Sequence, residues 1–125
     1  MSNKFKSKFE SSINAYFKKK RIKVKYEPFK LPFTQPEKKR NYLPDFEIQG
    51  NSLLIEAKGK LTAEDRSKLL WVREQHPGKR LVLLFMNASN RLRKNSKTTY
   101  AEWATKNGFD WADFNRDGIP DRWFK

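Results

Sequence analysis

At 125 residues the chain has room for one domain with a modest core, and not for two ordinary ones. Its 28 Lys and Arg against 14 Asp and Glu leave a formal charge of +14 and a pI near 10.1, so the expected partner is a polyanion, nucleic acid before a membrane surface. The absence of cysteine and a single histidine exclude disulfides, thiolate zinc sites, cysteine nucleophiles and multi-histidine metal sites, so any metal chemistry must rest on carboxylates.

Mean hydropathy is low at −0.94, yet aromatics make up 14% of the chain and the apolar residues are regularly spaced, as in a folded domain. The longest apolar run, Leu81 to Met86, is too short to span a bilayer, and the N-terminus lacks the apolar stretch of a signal peptide. A cytoplasmic protein with no membrane partner and no small-molecule cofactor is expected.

Phe5, Phe9, Ile13, Tyr16 and Phe17 recur at helical spacing and predict an amphipathic helix from about Ser7 to Lys20. Within it Ser7-x-x-Glu10 is a capping box, which by itself makes Glu10 a structural residue. Ile22, Val24 and Tyr26 alternate with lysines and predict a strand ending at Pro28. Leu31 to Arg40, with Pro32, Pro36 and the charge run Glu37-Lys38-Lys39-Arg40, reads as an extended connector offering little core.

Leu43 to Lys60 reads as strand, turn and strand. With Gly50-Asn51 as a two-residue loop, Gln49 pairs with Ser52, Asp45 falls opposite Glu56, and Lys58 shares their face. Two carboxylates about 5 Å apart repel by roughly 3 kcal/mol at an effective dielectric near 20. A divalent cation between them would offset that repulsion, and Lys58 could then face an attacking water or a phosphate. A bulge or longer loop could turn Asp45 away, leaving a surface hairpin with exposed charges.

Thr62 to His76 is a predicted helix, capped by Thr62 or Asp65 and stopped by Pro77-Gly78, and His76 at its end reads as structural. Leu81 to Met86 is a buried strand, Asn87 to Lys97 a polar loop, and Tyr100 to Lys106 a short helix closed by Asn107-Gly108. The order helix, strand, connector, hairpin, helix, strand, helix makes this an α/β or α+β domain, a mixed sheet flanked by helices. Near the C-terminus, Asp113-x-Asn115-x-Asp117-Gly118-x-x-Asp121 resembles a Ca²⁺ loop, but Phe124 stands where the bidentate Glu belongs. A turn closed by Asx-type bonds, packing Trp123 and Phe124, is expected there instead of a Ca²⁺ site.

Pro44-Asp45 followed by Glu56-Ala57-Lys58 resembles the PD-(D/E)xK nuclease signature. More of the chain is similar to the podophage endonuclease I family of Holliday-junction resolvases. The similarity runs through Ser7 with Glu10, Ile22 to Glu27, Pro32 and Pro36 before Tyr42, Pro44-Asp45-Phe46, Glu56-Ala57-Lys58-Gly59, Asp65-Arg66, Arg73 to Pro77, and Tyr100 with Gly108.

That resemblance implies a restriction-endonuclease-like fold and catalytic residues Glu10, Asp45, Glu56 and Lys58. It implies two Mg²⁺ per site, replaceable by Mn²⁺: one on Asp45, Glu56 and the Ala57 carbonyl, the other shared by Asp45 and Glu10. It further implies a homodimer acting on branched DNA, with residues 1–30 swapped into the partner, 31–42 as the extended bridge and 43–125 as the catalytic core. The expected phosphate contacts are Lys4, Lys6, Lys8, Lys60, Arg66, Lys68, Arg91, Arg93, Lys94 and Lys97, binding backbone more than base edges. Two rival readings are a monomeric repair or restriction-like nuclease and a basic module that binds nucleic acid without cutting.

Overall fold

The computed structural model describes residues 5–35 and 38–125. Helix α1, Lys8–Lys19, begins where the Ser7 hydroxyl accepts the Glu10 N–H at 3.1 Å, and its apolar stripe buries Phe9, Ile13 and Phe17. Strand β1, Val24–Tyr26, follows.

The next segment differs from the expected bare connector. It forms an antiparallel hairpin of β2, Leu31–Gln35, and β3, Lys38–Tyr42, and buries Leu31, Phe33 and Tyr42. Leu31 and Phe33 alternate with Pro32 and Thr34, a strand pattern that the flanking prolines disguised. Pro32 is tolerated because it faces the outer edge, where no ladder N–H is needed. Side chains from the next helix cover that edge: Thr34 exchanges two hydrogen bonds with Gln75, at 2.6 and 2.8 Å, and His76 Nε2 meets the Pro32 carbonyl. Residues 36 and 37, between the paired positions Gln35 and Lys38, lie outside the described residues.

Strands β4, Phe46–Ile48, and β5, Leu54–Lys58, pair as Phe46 with Ile55 and Glu47 with Leu54, the expected register. The loop is nevertheless four residues long. Ile48 N–H bonds the Leu53 carbonyl at 2.9 Å and Ser52 N–H the Ile48 carbonyl at 3.0 Å, with Gly50 at φ 108° and Ser52 at φ 59°. Extending the loop by one residue at each end leaves every pairing unchanged.

Helix α2, Ala63–Gln75, starts with a complete capping box of Thr62 and Asp65, so both expected cap residues take part. Then come β6, Leu81–Phe85, and α3, Tyr100–Lys106, as expected, and β7, Trp111–Asp113, which the pattern did not announce. A one-turn helix α4, Phe114–Asp117, and a 3₁₀ turn, Asp121–Phe124, finish the chain.

The sheet order is β1-β4-β5-β6-β7, antiparallel in its first two pairings and parallel in the last two. One face carries α1 with Phe46, Ile55, Ile119 and Trp123; the other carries α2, α3 and the hairpin over Leu54, Leu83 and Phe85. Alternation along β5 therefore aims Ile55 and Ala57 toward α1, and Leu54, Glu56 and Lys58 toward α2.

The acidic C-terminal loop is built as a turn. Asp113 spends both oxygens on backbone N–H groups, those of Ala88 and Arg116 at 2.9 Å each, and Asp117 pairs with Arg116. Trp123 is buried and Phe124 packs beside it.

Candidate active site

Where β4 enters the sheet, Pro44 ends the ladder. Antiparallel pairs alternate, so after Ile48 with Leu53 and Phe46 with Ile55 the next hydrogen-bonded partners would be Pro44 and Ala57. Proline has no N–H for the Ala57 carbonyl, which is left facing the strand end. Asp45 Oδ2 occupies the other half of that position and accepts the Ala57 N–H at 2.8 Å. The Asp45 carbonyl accepts from Glu27 N–H at 2.9 Å, so its backbone is fixed between β1 and β5.

Glu56 is 5% exposed. Tyr42, from β3, donates its hydroxyl to Oε1, and the Lys58 ammonium lies 3.3 Å from Oε2. Burial raises the Glu56 pKa, against the opposing pull of Lys58 and the Tyr42 hydroxyl. Lys58 is also held by Asp65 Oδ1 at 3.1 Å. Burial works against its charge, but Glu56 and Asp65 outweigh that effect and its pKa is raised. Lys58 is therefore protonated at neutral pH in the metal-free protein and can donate to a water or a phosphate.

Glu10 reaches the same corner from the opposite face of the sheet. Its Oε1 accepts from Tyr26 O–H at 2.9 Å and from Lys6 N–H at 3.0 Å, so the carboxylate reaches back to Lys6 and not to the cap residue. Tyr26 feels this environment, its hydroxyl pushed up out of the ordinary range chiefly by burial. Asp45 lies in the same corner, and its pKa rises to about 9 through burial first and the Glu56 charge next, with the Ala57 N–H opposing the rise and Glu10 adding to it. Within the single chain Glu10, Asp45, Glu56 and Lys58 thus meet at one end of the sheet.

Whether this set suits a hard divalent cation can be judged from its donors. Asp45, Glu56 and the Ala57 carbonyl offer oxygens of the kind Mg²⁺ and Mn²⁺ take, and the mutual repulsion of the two acids is what such an ion would relieve. Among the described residues no three acidic or histidine side chains converge as a ready-made metal cage. The donor types suit one hard ion.

Three residues of this network were not singled out in the sequence for the site: Tyr42, Tyr26 and, as more than a helix cap, Asp65. Asp65 holds Lys58 on one side and closes the α2 cap on the other. Asp65→Asn is expected to slow cleavage by about 10- to 100-fold, as loss of a supporting contact does at metal sites, and to cost about 1 kcal/mol through the cap. Single-turnover rates and melting temperature measure the two effects separately.

The basic residues are scattered. Lys8, Lys60, Arg91, Arg93, Lys94 and Lys97 are exposed, the last four in the loop before α3. Lys6 pairs with Glu27 at 2.9 Å, and Arg66 donates to the Leu61 carbonyl at 3.0 Å, so part of the expected phosphate contacts are engaged within the fold. Lys68 lies 5.9 Å from the centre of the Tyr42 ring, beside Glu56. Lys4 lies outside the described residues. Among the described residues no helix is long and apolar enough to cross a membrane.

Comparison with known proteins agrees with this geometry. The family described as phage endonuclease I matches residues 1–125. The chain is 38% identical over 109 residues to "Endodeoxyribonuclease 1" of Enterobacteria phage T3, covering 87% of this chain and 71% of that protein. It is 36% identical over 121 residues to "Endonuclease I" of Escherichia phage T7, covering 97% and 78%. With a family match along its whole length and these relatives at more than a third identity, the chain belongs to the phage endonuclease I family and is an endonuclease.

Proposed function

We propose that the chain is a Mg²⁺-dependent, structure-selective DNA endonuclease that resolves four-way and other branched junctions in the cytoplasm of an infected bacterium. The observation that carries this reading is the meeting of Asp45, Glu56, the Ala57 carbonyl and a protonated Lys58 at one sheet end. The names of the T3 and T7 relatives, one of them an endodeoxyribonuclease, support DNA as the substrate.

Asp45, Glu56 and the Ala57 carbonyl would hold the first ion, and Glu10 with Asp45 a second through water. When bound, the ions would supply stabilisation of the charge that grows on the entering and leaving oxygens of the phosphodiester. Lys58, gripped by Glu56 and Asp65, keeps its remaining N–H for the attacking water or a phosphate oxygen. A charge of +14 carried by exposed Lys and Arg draws the substrate in by its backbone, so binding should weaken steeply with salt.

Two linked sites suit paired nicks across a junction, and the proposal includes a homodimer exchanging residues 1–30. The contacts of α1 and β1 with β4 are the same whether they form within a chain or between two. Mixing Glu10→Gln with Asp45→Asn, each inactive alone, should restore cleavage once subunits exchange. No recovery with exchange demonstrated would mean that each chain completes its own site.

The direct test of the function is cleavage of an end-labelled immobile four-way junction beside its separate linear arms. Cutting confined to the junction and dependent on Mg²⁺ or Mn²⁺ is expected. Binding without cutting under any divalent ion would overturn the reading in favour of a non-catalytic binding protein.

A further inference from the structure

We propose that the cleft between the β2–β3 hairpin and α2 docks one unpaired nucleotide of the DNA substrate, its base against Trp71 and its phosphate between Lys68 and Arg40. This rests on the nuclease reading above and adds to it a place for the strand next to the cutting site.

The cleft encloses about 200 Å³. That is less than the 300–1,000 Å³ or so of a pocket for a drug-sized ligand, and suits a single planar ring. Phe33 and Trp71 line it with aromatic surface, Phe33 almost wholly buried and Trp71 partly buried at the edge of the core. An aromatic face that the core leaves open is what an unstacked base uses, since every base has a π-face. Lys68 and Arg40 line the same cleft and provide charge for one phosphate.

Glu64 and Asp65 line it too, and they decide between ligands. Two carboxylates oppose a polyphosphate or a run of backbone, but Glu64 can accept from the exocyclic amino or ring N–H groups of a base. Position argues the same way. Asp65 holds the Lys58 ammonium at 3.1 Å, so the cleft stands one side chain away from the candidate catalytic lysine. Lys68, over the Tyr42 ring, links the cleft to the residue that donates to Glu56. A paired base inside a duplex cannot reach such a cleft without being unstacked, at a cost of a few kcal/mol, whereas a base already unpaired at a branch point can.

The experiment uses the full chain in EDTA with two junctions. One carries a single unpaired 2-aminopurine at the branch point; the other is fully paired, with the 2-aminopurine inside an arm. Binding should quench the unpaired probe and leave the stacked one unchanged. Trp71→Leu keeps an apolar contact with the core but has no ring; it should lose the quench and about ten-fold of the preference for the unpaired junction. Trp71→Phe should retain both. Should the leucine variant fail to fold, Arg40→Ala with Lys68→Ala reads the phosphate half of the site, and the same loss of preference is expected.

Quenching by Trp71→Leu equal to that of the unmutated protein, or an equal loss of affinity for both junctions, would overturn the proposal. Because nothing is cut in EDTA, the two readings fail separately. Quench and preference without cleavage under Mg²⁺ or Mn²⁺ leave the nucleotide site standing and remove the nuclease. Junction cleavage with no quench does the reverse.

Discussion

Glu56→Gln is expected to slow junction cleavage by at least about 10³-fold while leaving junction binding in EDTA within about three-fold of the unmutated protein. Loss of one well-aimed stabilising group usually costs about 10²–10³-fold in rate. Glu56 serves twice, as the proposed metal ligand and as one of the two carboxylates that grip Lys58, 3.3 Å from its ammonium. Glutamine keeps the shape and can still accept the Tyr42 hydroxyl through its amide oxygen, so the buried tyrosine need not lose its partner. Its NH₂ would face the Lys58 ammonium with no charge to offer, and the ion would lose a carboxylate. Single-turnover rates on a labelled four-way junction, beside gel-shift titrations, separate the two effects. A rate within ten-fold of the unmutated enzyme would remove Glu56 from the metal site.

Glu56 and Asp45 could be placed together from sequence because the strand register follows from the hydrophobic pattern and from counting. The expected two-residue turn was wrong, yet the four-residue turn from Gln49 to Ser52 grows symmetrically and returns the same pairs. Helices α2 and α3 were legible from local signals, because Thr62 and Asp65 at the start of one and Asn107 at the end of the other act on their own neighbourhood. The hairpin over the site was hidden by its prolines. Strand β7 has three residues and no alternation of its own; it is a strand because β6 lies beside it.

The supporting contacts are illegible for the same reason. Tyr42 with Glu56, Tyr26 with Glu10 and Asp65 with Lys58 join separate elements, and no local spacing encodes where β3, β1 and α2 come to rest. Glu10 shows the boundary most clearly. Its position three residues after Ser7 announces a cap, and the Ser7 hydroxyl does accept its N–H. Its carboxylate, however, goes to Lys6 and Tyr26, and only the packing of α1 across the sheet brings Tyr26 there.

The metal-free protein should lose stability as pH rises from about 5 to 9, and Mg²⁺ should return it, with the largest gain in melting temperature at the alkaline end. Asp45 drives this. Its pKa is 3.8 in an ordinary setting and is pushed up to about 9 here, by burial first and by the charge of Glu56 next. Between those values the folded state holds a proton that the unfolded state does not, so stability is full below about pH 4 and falls through the window, by at most about 1.4 kcal/mol per pH unit for one group. A cation bound to Asp45 and Glu56 takes the place of that proton, so ion and proton compete. Mg²⁺ should then raise the melting temperature little at pH 5 and by several degrees at pH 8.5. Asp45→Asn, neutral at every pH, should flatten the pH dependence and remove most of the Mg²⁺ effect, and it should melt higher than the unmutated protein in EDTA at pH 9. It should also be inactive. A melting temperature of the metal-free protein that rises between pH 5 and 9 would show Asp45 already ionised in the fold, and would leave the two carboxylates held apart by something other than a shared cation.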